Sequence, residues 1–272
     1  MAYAALTSAR LGLRSIAIIG VDRITERAAE LDLLRAAGVT LELVPIGQSA
    51  AFENVETPAG RVQTCIEPGD PLPAVAIRPA WSRARSWLVV PVSAETGPAW
   101  AAAVPHEARL TLGWQGLLRA LEAGRRIKRK QPERTPLVER ADLIGASRHD
   151  LGPDLSVADA CTFLRPGARL ILTDGEAGGL IVTAGPAANG EGPRRYPAVA
   201  ARQVDPTGAG DVFLAALAAA PFIGGRTITR DTSVTGGDAR LAATAAALAV
   251  EGTGLGAVPD RAAVEARLSR GA

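Results

Sequence analysis

Two hydrophobic periods alternate along the chain. Residues 2–11 carry an alanine-rich helical pattern that stops near Leu11 and Gly12, and the apolar run at 15–20 (SIAIIG) reads as a buried strand. Residues 24–37 return to helical spacing at Ala28, Leu31, Leu34 and Arg35, closed by Gly38 as a C-terminal cap, and 39–45 form the next strand. This rhythm predicts a parallel sheet covered by helices on both faces. From about 49 to 79 the period drops to two, with strands from Phe52 and from Arg61 flanking a turn at Pro58, Ala59 and Gly60. Such a hairpin is either a small β lid or an ordinary surface hairpin. Strands resume at 87–91, 108–112, 141–145 and 169–173. The run at 178–183 (GGLIVT) follows so closely that Ile171 and Ile181 are expected on neighbouring antiparallel strands joined by a tight glycine turn. Helices are predicted at 209–220, 235–251 and 261–268. The chain thus divides into an α/β domain, 1–47 with 80–272, and a β excursion, 48–79.

Composition narrows the chemistry. The 272 residues are 47% hydrophobic, ample for a sizeable core, and 30 basic against 28 acidic residues argue against a strongly electrostatic nucleic-acid partner. Lysine occurs only as Lys128 and Lys130, inside the basic run 125–130, which reads as a solvated helix end. A P-loop lysine and a Schiff-base lysine in an apolar pocket are therefore both excluded. Cys65 and Cys161 are too few for a zinc cluster or a disulfide framework. Carboxylates, hydroxyls, arginines and backbone dipoles remain. The N-terminus lacks the layout of an export signal, and no apolar run approaches the ~20 residues that a bilayer requires. The expectation is a cytoplasmic protein with reduced thiols and no membrane partner.

The most informative segment is 204–213 (VDPTGAGDVF). Pro206 and Gly208 interrupt regular structure while a helix begins at Ala209, so Gly208, Ala209 and Gly210 are expected to present free N–H groups at a helix N-terminus. The positive end of the macrodipole suits an anion there, and glycine lets a phosphate approach closely. Asp211 falls in the first turn beside that site, where the dipole favours an ionised carboxylate able to accept a proton from an alcohol.

The string from Asp205 to Phe213 resembles the C-terminal signature of the ribokinase-like (PfkB) carbohydrate kinases, Asp-x-Thr-Gly-Ala-Gly-Asp-x-Phe. Residues 172–178 (LTDGEAG) resemble the family's Thr-x-Gly-x-x-Gly nucleotide loop, and 242–250 with 252–259 resemble its penultimate helix and closing adenine-side loop. The resemblance implies a three-layer α/β/α ribokinase-like sandwich with a mostly parallel central sheet and a small β lid. It implies Asp211 as the general base, and Gly208, Ala209 and Gly210 as the hole holding the transferring phosphoryl group. Thr173, Gly175, Gly178, Asp205, Thr207 and Gly254 fall at nucleotide-side positions. Ser147 to Asp150 occupy the place of an Asn-x-x-Glu motif that organises magnesium; Asp150 keeps a carboxylate, and Ser147 replaces an amide. ATP and Mg²⁺ are the implied co-substrate and metal, a monovalent cation beside Asp205 and 252–258 is left open, and a homodimer through the β excursion follows family habit.

Relative to that family the sequence opens inside the first helix, without the usual preceding strand and Gly-Gly, which leads one to expect unpaired sheet edges. Acceptor residues are correspondingly open. Phe52, Asn54, Glu95 and Gln115 are candidates, with Arg119 beside them, and Trp114 reads as packing. Sugars, inositols and other polyols, and nucleosides all fit. The leading expectation is an ATP-dependent kinase of such an alcohol. The alternative is a catalytically weak ligand-binding or regulatory protein on the same fold. A dinucleotide oxidoreductase is disfavoured, because Gly20-Val21-Asp22-Arg23 lacks the Gly-x-Gly-x-x-Gly fingerprint after the first strand.

Overall fold

Alternating burial along the central strands builds a sheet covered on both faces. A computed structural model describes residues 1–57, 60–74, 78–79, 81–93, 95–185 and 192–270. The N-terminal half runs α1 (Ala2–Arg10), β1 (Ile16–Val21), α2 (Ala29–Ala36), β2 (Thr40–Pro45), β3 (Ala51–Thr57), β4 (Gly60–Glu67), β5 (Ser86–Val89), α3 (Ala99–Ala103), β6 (Arg109–Gly113), β7 (Arg119–Ala120), β8 (Arg125–Arg126) and β9 (Lys128–Arg129). There follow α4 (Pro136–Arg140), β10 (Leu143–Ser147), α5 (Arg148–Leu151), α6 (Val157–Thr162), β11 (Arg169–Thr173), β12 (Gly179–Thr183), β13 (Arg194–Tyr196), α7 (Ala209–Ile223), α8 (Gly236–Ala249) and α9 (Arg261–Arg270).

Six strands form the main sheet in the order β13-β12-β11-β10-β6-β5. Strands β5, β6, β10 and β11 are parallel, and β12 and β13 continue antiparallel. Ile171 faces Ile181 across β11 and β12, the register expected from the sequence. Successive side chains on a strand point to opposite faces. Leu110, Leu112, Ile144, Leu170 and Leu172 accordingly pack with Trp114 and α4, whereas Leu143, Ile171 and Ile181 pack with α1, α7 and α8. Alanines dominate the buried faces of α7 and α8, so these helices lie close together.

The parallel layer is interrupted. Among the described residues β1 pairs only with β2, and β5 only with β6. A cavity of about 460 Å³ lies between them, lined by Ile16 and Ile18 of β1, Trp87 and Leu88 of β5, and Ala215 and Ala219 of α7. Ser86 Oγ, Trp87 Nε1 and Thr96 Oγ1 on its walls are buried without a hydrogen-bond partner among the described residues. Unpaired edges therefore occur on both sides of the interruption.

Two local expectations are corrected. Residues 24–37 are not one helix. The carboxylate of Asp22 accepts hydrogen bonds from the Ile24, Thr25 and Ser49 amides, which fixes a 3₁₀ turn at Thr25–Arg27 before α2 begins. Nor is the basic run 125–130 a helix end. Its β8 pairs antiparallel with β4, Thr64 opposite Arg126 and Cys65 opposite Arg125, and β9 pairs with β7. The free edge of β4 gives these residues backbone partners, whereas a helix this short is marginal. Strands β3, β4 and β8 thus form a separate three-stranded sheet at the β excursion. Pro58 and Ala59, of the expected turn, lie outside the described residues. No described helix is long and apolar enough to cross a membrane.

Candidate active site

The turn entering α7 is held from both sides. Asp205 accepts the Thr207 amide at 2.9 Å, and with the Thr207 hydroxyl, Arg61 and the Gly254 amide this holds its carboxyl below the usual range. Gly208 then adopts φ +80°, a left-handed conformation in which a side chain is strained. Its bare α-carbon lies against the Tyr3 ring, where an added Cβ would come within 2.4 Å. Ala209 donates to the Pro206 carbonyl at 3.2 Å, so the expectation of a free amide at Ala209 is corrected: the turn closes on it. The amides of Gly208, Gly210 and Asp211 have no carbonyl partner among the described residues, and nothing stands within 4 Å of a Cβ at Gly210. Asp211 lies in the same first turn, about a quarter exposed, its Oδ2 3.2 Å from the Met1 nitrogen. The turn therefore offers donors to an anion and a carboxylate to a proton within one helical turn.

The turn after β11 meets the same helix through a buried aromatic pair. Thr173 ends β11, Gly175 stands in open space, and across the turn the Asp174 amide donates to the Gly178 carbonyl while the Gly178 amide donates to that of Gly175. Gly178, at φ +82°, is glycine for packing, since a Cβ would lie 2.2 Å from the Tyr196 carbonyl oxygen. The Tyr196 ring stacks on Phe213, two residues beyond Asp211, with centroids 5.5 Å apart. Burial pushes the Tyr196 hydroxyl upward, and it reaches the Leu172 carbonyl at 3.3 Å.

A second polar group links the hairpin to the core. Gln63 Nε2 donates to Asn54 Oδ1 at 2.8 Å, and Arg119 Nη2 donates to Gln63 Oε1 at 3.1 Å. Gln115 Nε2 donates to Asp150 Oδ1 at 3.2 Å. Asp150 Oδ2 accepts both the amide and the hydroxyl of Ser147, closing a capping box at α5. Burial lowers the Arg119 guanidinium while Asp150 opposes that shift. Phe52 lies on β3 opposite Cys65. Glu95 bonds locally to the Val92 amide and to the Ser93 amide and hydroxyl. Trp114 is fully buried, edge-on to Phe163.

The structure therefore brings together Asp205, Thr207, Gly254 and the 208–211 turn, and separately Asn54, Gln115 and Asp150. It leaves Glu95 in its own turn. The large cavity between β1 and β5 includes neither Asp211 nor Gly210. Sequence reasoning missed Tyr3, Arg61, Gln63 and Tyr196. Period-two spacing puts Arg61 and Gln63 on one face of β4, a signal present in the sequence, whereas nothing local marks Tyr3. No group of three potential metal-ligating side chains occurs among the described residues.

No family model matches the sequence, and no curated protein does. Solved structures match over nearly the whole chain. Ribokinase from Thermotoga maritima is 20% identical, with a TM-score of 0.70 over 98% of this chain and 86% of that one. A pyrophosphate-dependent kinase in the ribokinase family, complexed with a pyrophosphate analog and myo-inositol, is 18% identical, with a TM-score of 0.72 over 97% and 89%. Nucleoside kinase from Methanocaldococcus jannaschii is 16% identical, with a TM-score of 0.67 over 99% and 85%. At these identities the likeness is one of architecture, and it is shared across three acceptor chemistries: this chain has the ribokinase fold.

Proposed function

We propose that the chain is an ATP-dependent kinase transferring the γ-phosphoryl group to a hydroxyl of a small sugar, polyol or nucleoside. The observation that carries this reading is the placement of Asp211 in the same helical turn as the unpartnered Gly208 and Gly210 amides. Structures sharing the fold include a ribokinase complexed with ribose and ATP and another complexed with ADP, which supports a nucleotide donor.

The acceptor oxygen attacks the γ-phosphorus as its proton passes to Asp211, and the bond from that phosphorus to the β–γ bridging oxygen breaks to release ADP. The incipient charge spreads over the phosphoryl oxygens, so alignment and neutralisation carry most of the catalysis. Fixed amides at the positive end of α7 supply part of it without reorganising. Thr173, Gly175 and Gly254 line the donor side, and Asn54, Gln63 and Arg119 the acceptor side. Mg²⁺ would contribute charge neutralisation on the donor phosphates, with Asp150 as the carboxylate that fits its outer sphere. Both Asp150 oxygens already accept hydrogen bonds within the chain, an observation that favours the second reading, a ligand-binding protein with weak turnover.

Magnesium-dependent ADP release over a panel of sugars, polyols and nucleosides separates the two. Asp211→Asn is expected to lower kcat about 10²–10⁴-fold with nucleotide affinity retained, the usual range for loss of a general base. No acceptor raising ADP release above that of the variant would refute the kinase reading.

A further inference from the structure

The hairpin reaches the catalytic turn through one side chain. Arg61, at the start of β4, places Nη2 3.6 Å from Asp205 Oδ1 and Nη1 3.5 Å from Thr207 Oγ1, across 146 residues of sequence. Gln63 lies two residues on, on the same strand face, and is held by Arg119 from the core. This face of the hairpin is therefore turned toward the molecule, with Arg61 nearest the 205–211 turn.

Two carboxylates flank the amides that would receive a phosphoryl group: Asp211, which pairs with the Met1 amino group at 3.2 Å, and Asp205, which faces Arg61. The sequence supplies no lysine to offset them: Lys128 lies on exposed β9, and Lys130 pairs with Glu133 at 3.0 Å. Among the described residues Arg61 is the basic side chain with an ion pair to this turn. Its contact with Asp205 is longer than a hydrogen bond, and both side chains are about a quarter exposed, so this one contact is weak. A guanidinium matches two oxygens of a terminal phosphate at once, with more charge than one carboxylate offers.

From this geometry, and resting on the kinase reading, we propose that Arg61 discriminates the phosphoryl donor. Its guanidinium exchanges Asp205 for the terminal phosphoryl oxygens of a nucleoside triphosphate, a group that a diphosphate lacks. Asp205, freed of the guanidinium, keeps its Thr207 and Gly254 amides, so the turn itself holds its shape.

Calorimetric titration with Mg²⁺ and either a non-hydrolysable ATP analogue or ADP tests this without a known acceptor. Arg61→Gln should weaken the triphosphate analogue roughly 10–100-fold, the range for charge-assisted phosphate contacts, and leave ADP affinity within about twofold. Arg61→Lys, which keeps the charge but not the fork, should fall between. Circular dichroism checks that each variant is folded. If Arg61→Gln shifts both nucleotides equally, or neither, the arginine only tethers the hairpin and the proposal fails while the kinase reading stands. If the unaltered protein binds neither nucleotide, the kinase reading itself fails and takes the proposal with it.

Discussion

Substituting Gly208 by alanine puts two separable strains on the turn that enters α7. At φ +80° a Cβ meets the neighbouring backbone, which costs about 1–2 kcal/mol in the left-handed region. The same Cβ would stand 2.4 Å from the Tyr3 ring, closer than any real contact, so the ring or helix α1 must yield. Overpacking of this kind adds roughly 1–3 kcal/mol. Together about 2–5 kcal/mol is expected, which for a chain of this size lowers Tm by roughly 4–20 °C. Rate should suffer too, because a displaced Gly208 amide resembles loss of one oxyanion donor, about 10²–10³-fold. Calorimetry on Gly208→Ala, Tyr3→Ala and the double variant closes the cycle. With the ring gone only the backbone strain remains, so the alanine should then cost about 1–2 kcal/mol. An equal cost in both backgrounds would show that Tyr3 does not bear on Gly208, and the account of the turn would be wrong.

Two further outcomes concern the scaffold. Asp142, 1% exposed, receives Arg140, Arg165 and Arg230 and caps the Leu110 amide, so Asp142→Asn should cost roughly 3–5 kcal/mol by chemical denaturation, as for a broken buried ion pair. Hydrogen bonds from the Thr25 and Ser49 amides hold the Asp22 carboxyl well below the usual range. A carboxyl depressed in the folded state contributes stability above its unfolded value, about pH 4, and loses it as pH falls through the folded one. The Tm gap between the native chain and Asp22→Asn should therefore be flat from neutral pH to about pH 5 and narrow only below about pH 4; a gap closing nearer neutrality would contradict the assignment.

What the sequence disclosed follows from the range of the interactions. The β11–β12 register was legible because alternation and a glycine turn are local, and Ile171 does face Ile181. The break at Pro206 and Gly208 and the helix start at Ala209 were legible for the same reason, whereas the left-handed φ of Gly208 emerged only in the structure. The closing of Ala209 on Pro206 was not legible, because a proline carbonyl three residues upstream satisfies that amide only once the turn is folded. Strand β8 was missed because its partner, the free edge of β4, lies some sixty residues earlier. Tyr3 and Tyr196 are likewise long-range, and single residues with no periodic pattern cannot signal where they land; the period of β4 gives the face of Arg61 but not the turn that it meets.

The alanine-rich helix α1 shows where this matters most for chemistry, since its pattern says only that it packs. Folded, it joins three features of the molecule. Its cap Met1 and its Ala4 border the cavity in the interrupted sheet, and Tyr3 presses on Gly208 at the turn that enters α7. Arg10, at its far end, donates to the carbonyls of Gly256 and Val258 in the loop that also supplies the Gly254 amide to Asp205. The burial of Leu6 between them keeps these contacts on one rigid body. The 254–258 loop and the 205–211 turn therefore share contacts with one helix in addition to the Thr207 and Gly254 bonds that join them at Asp205.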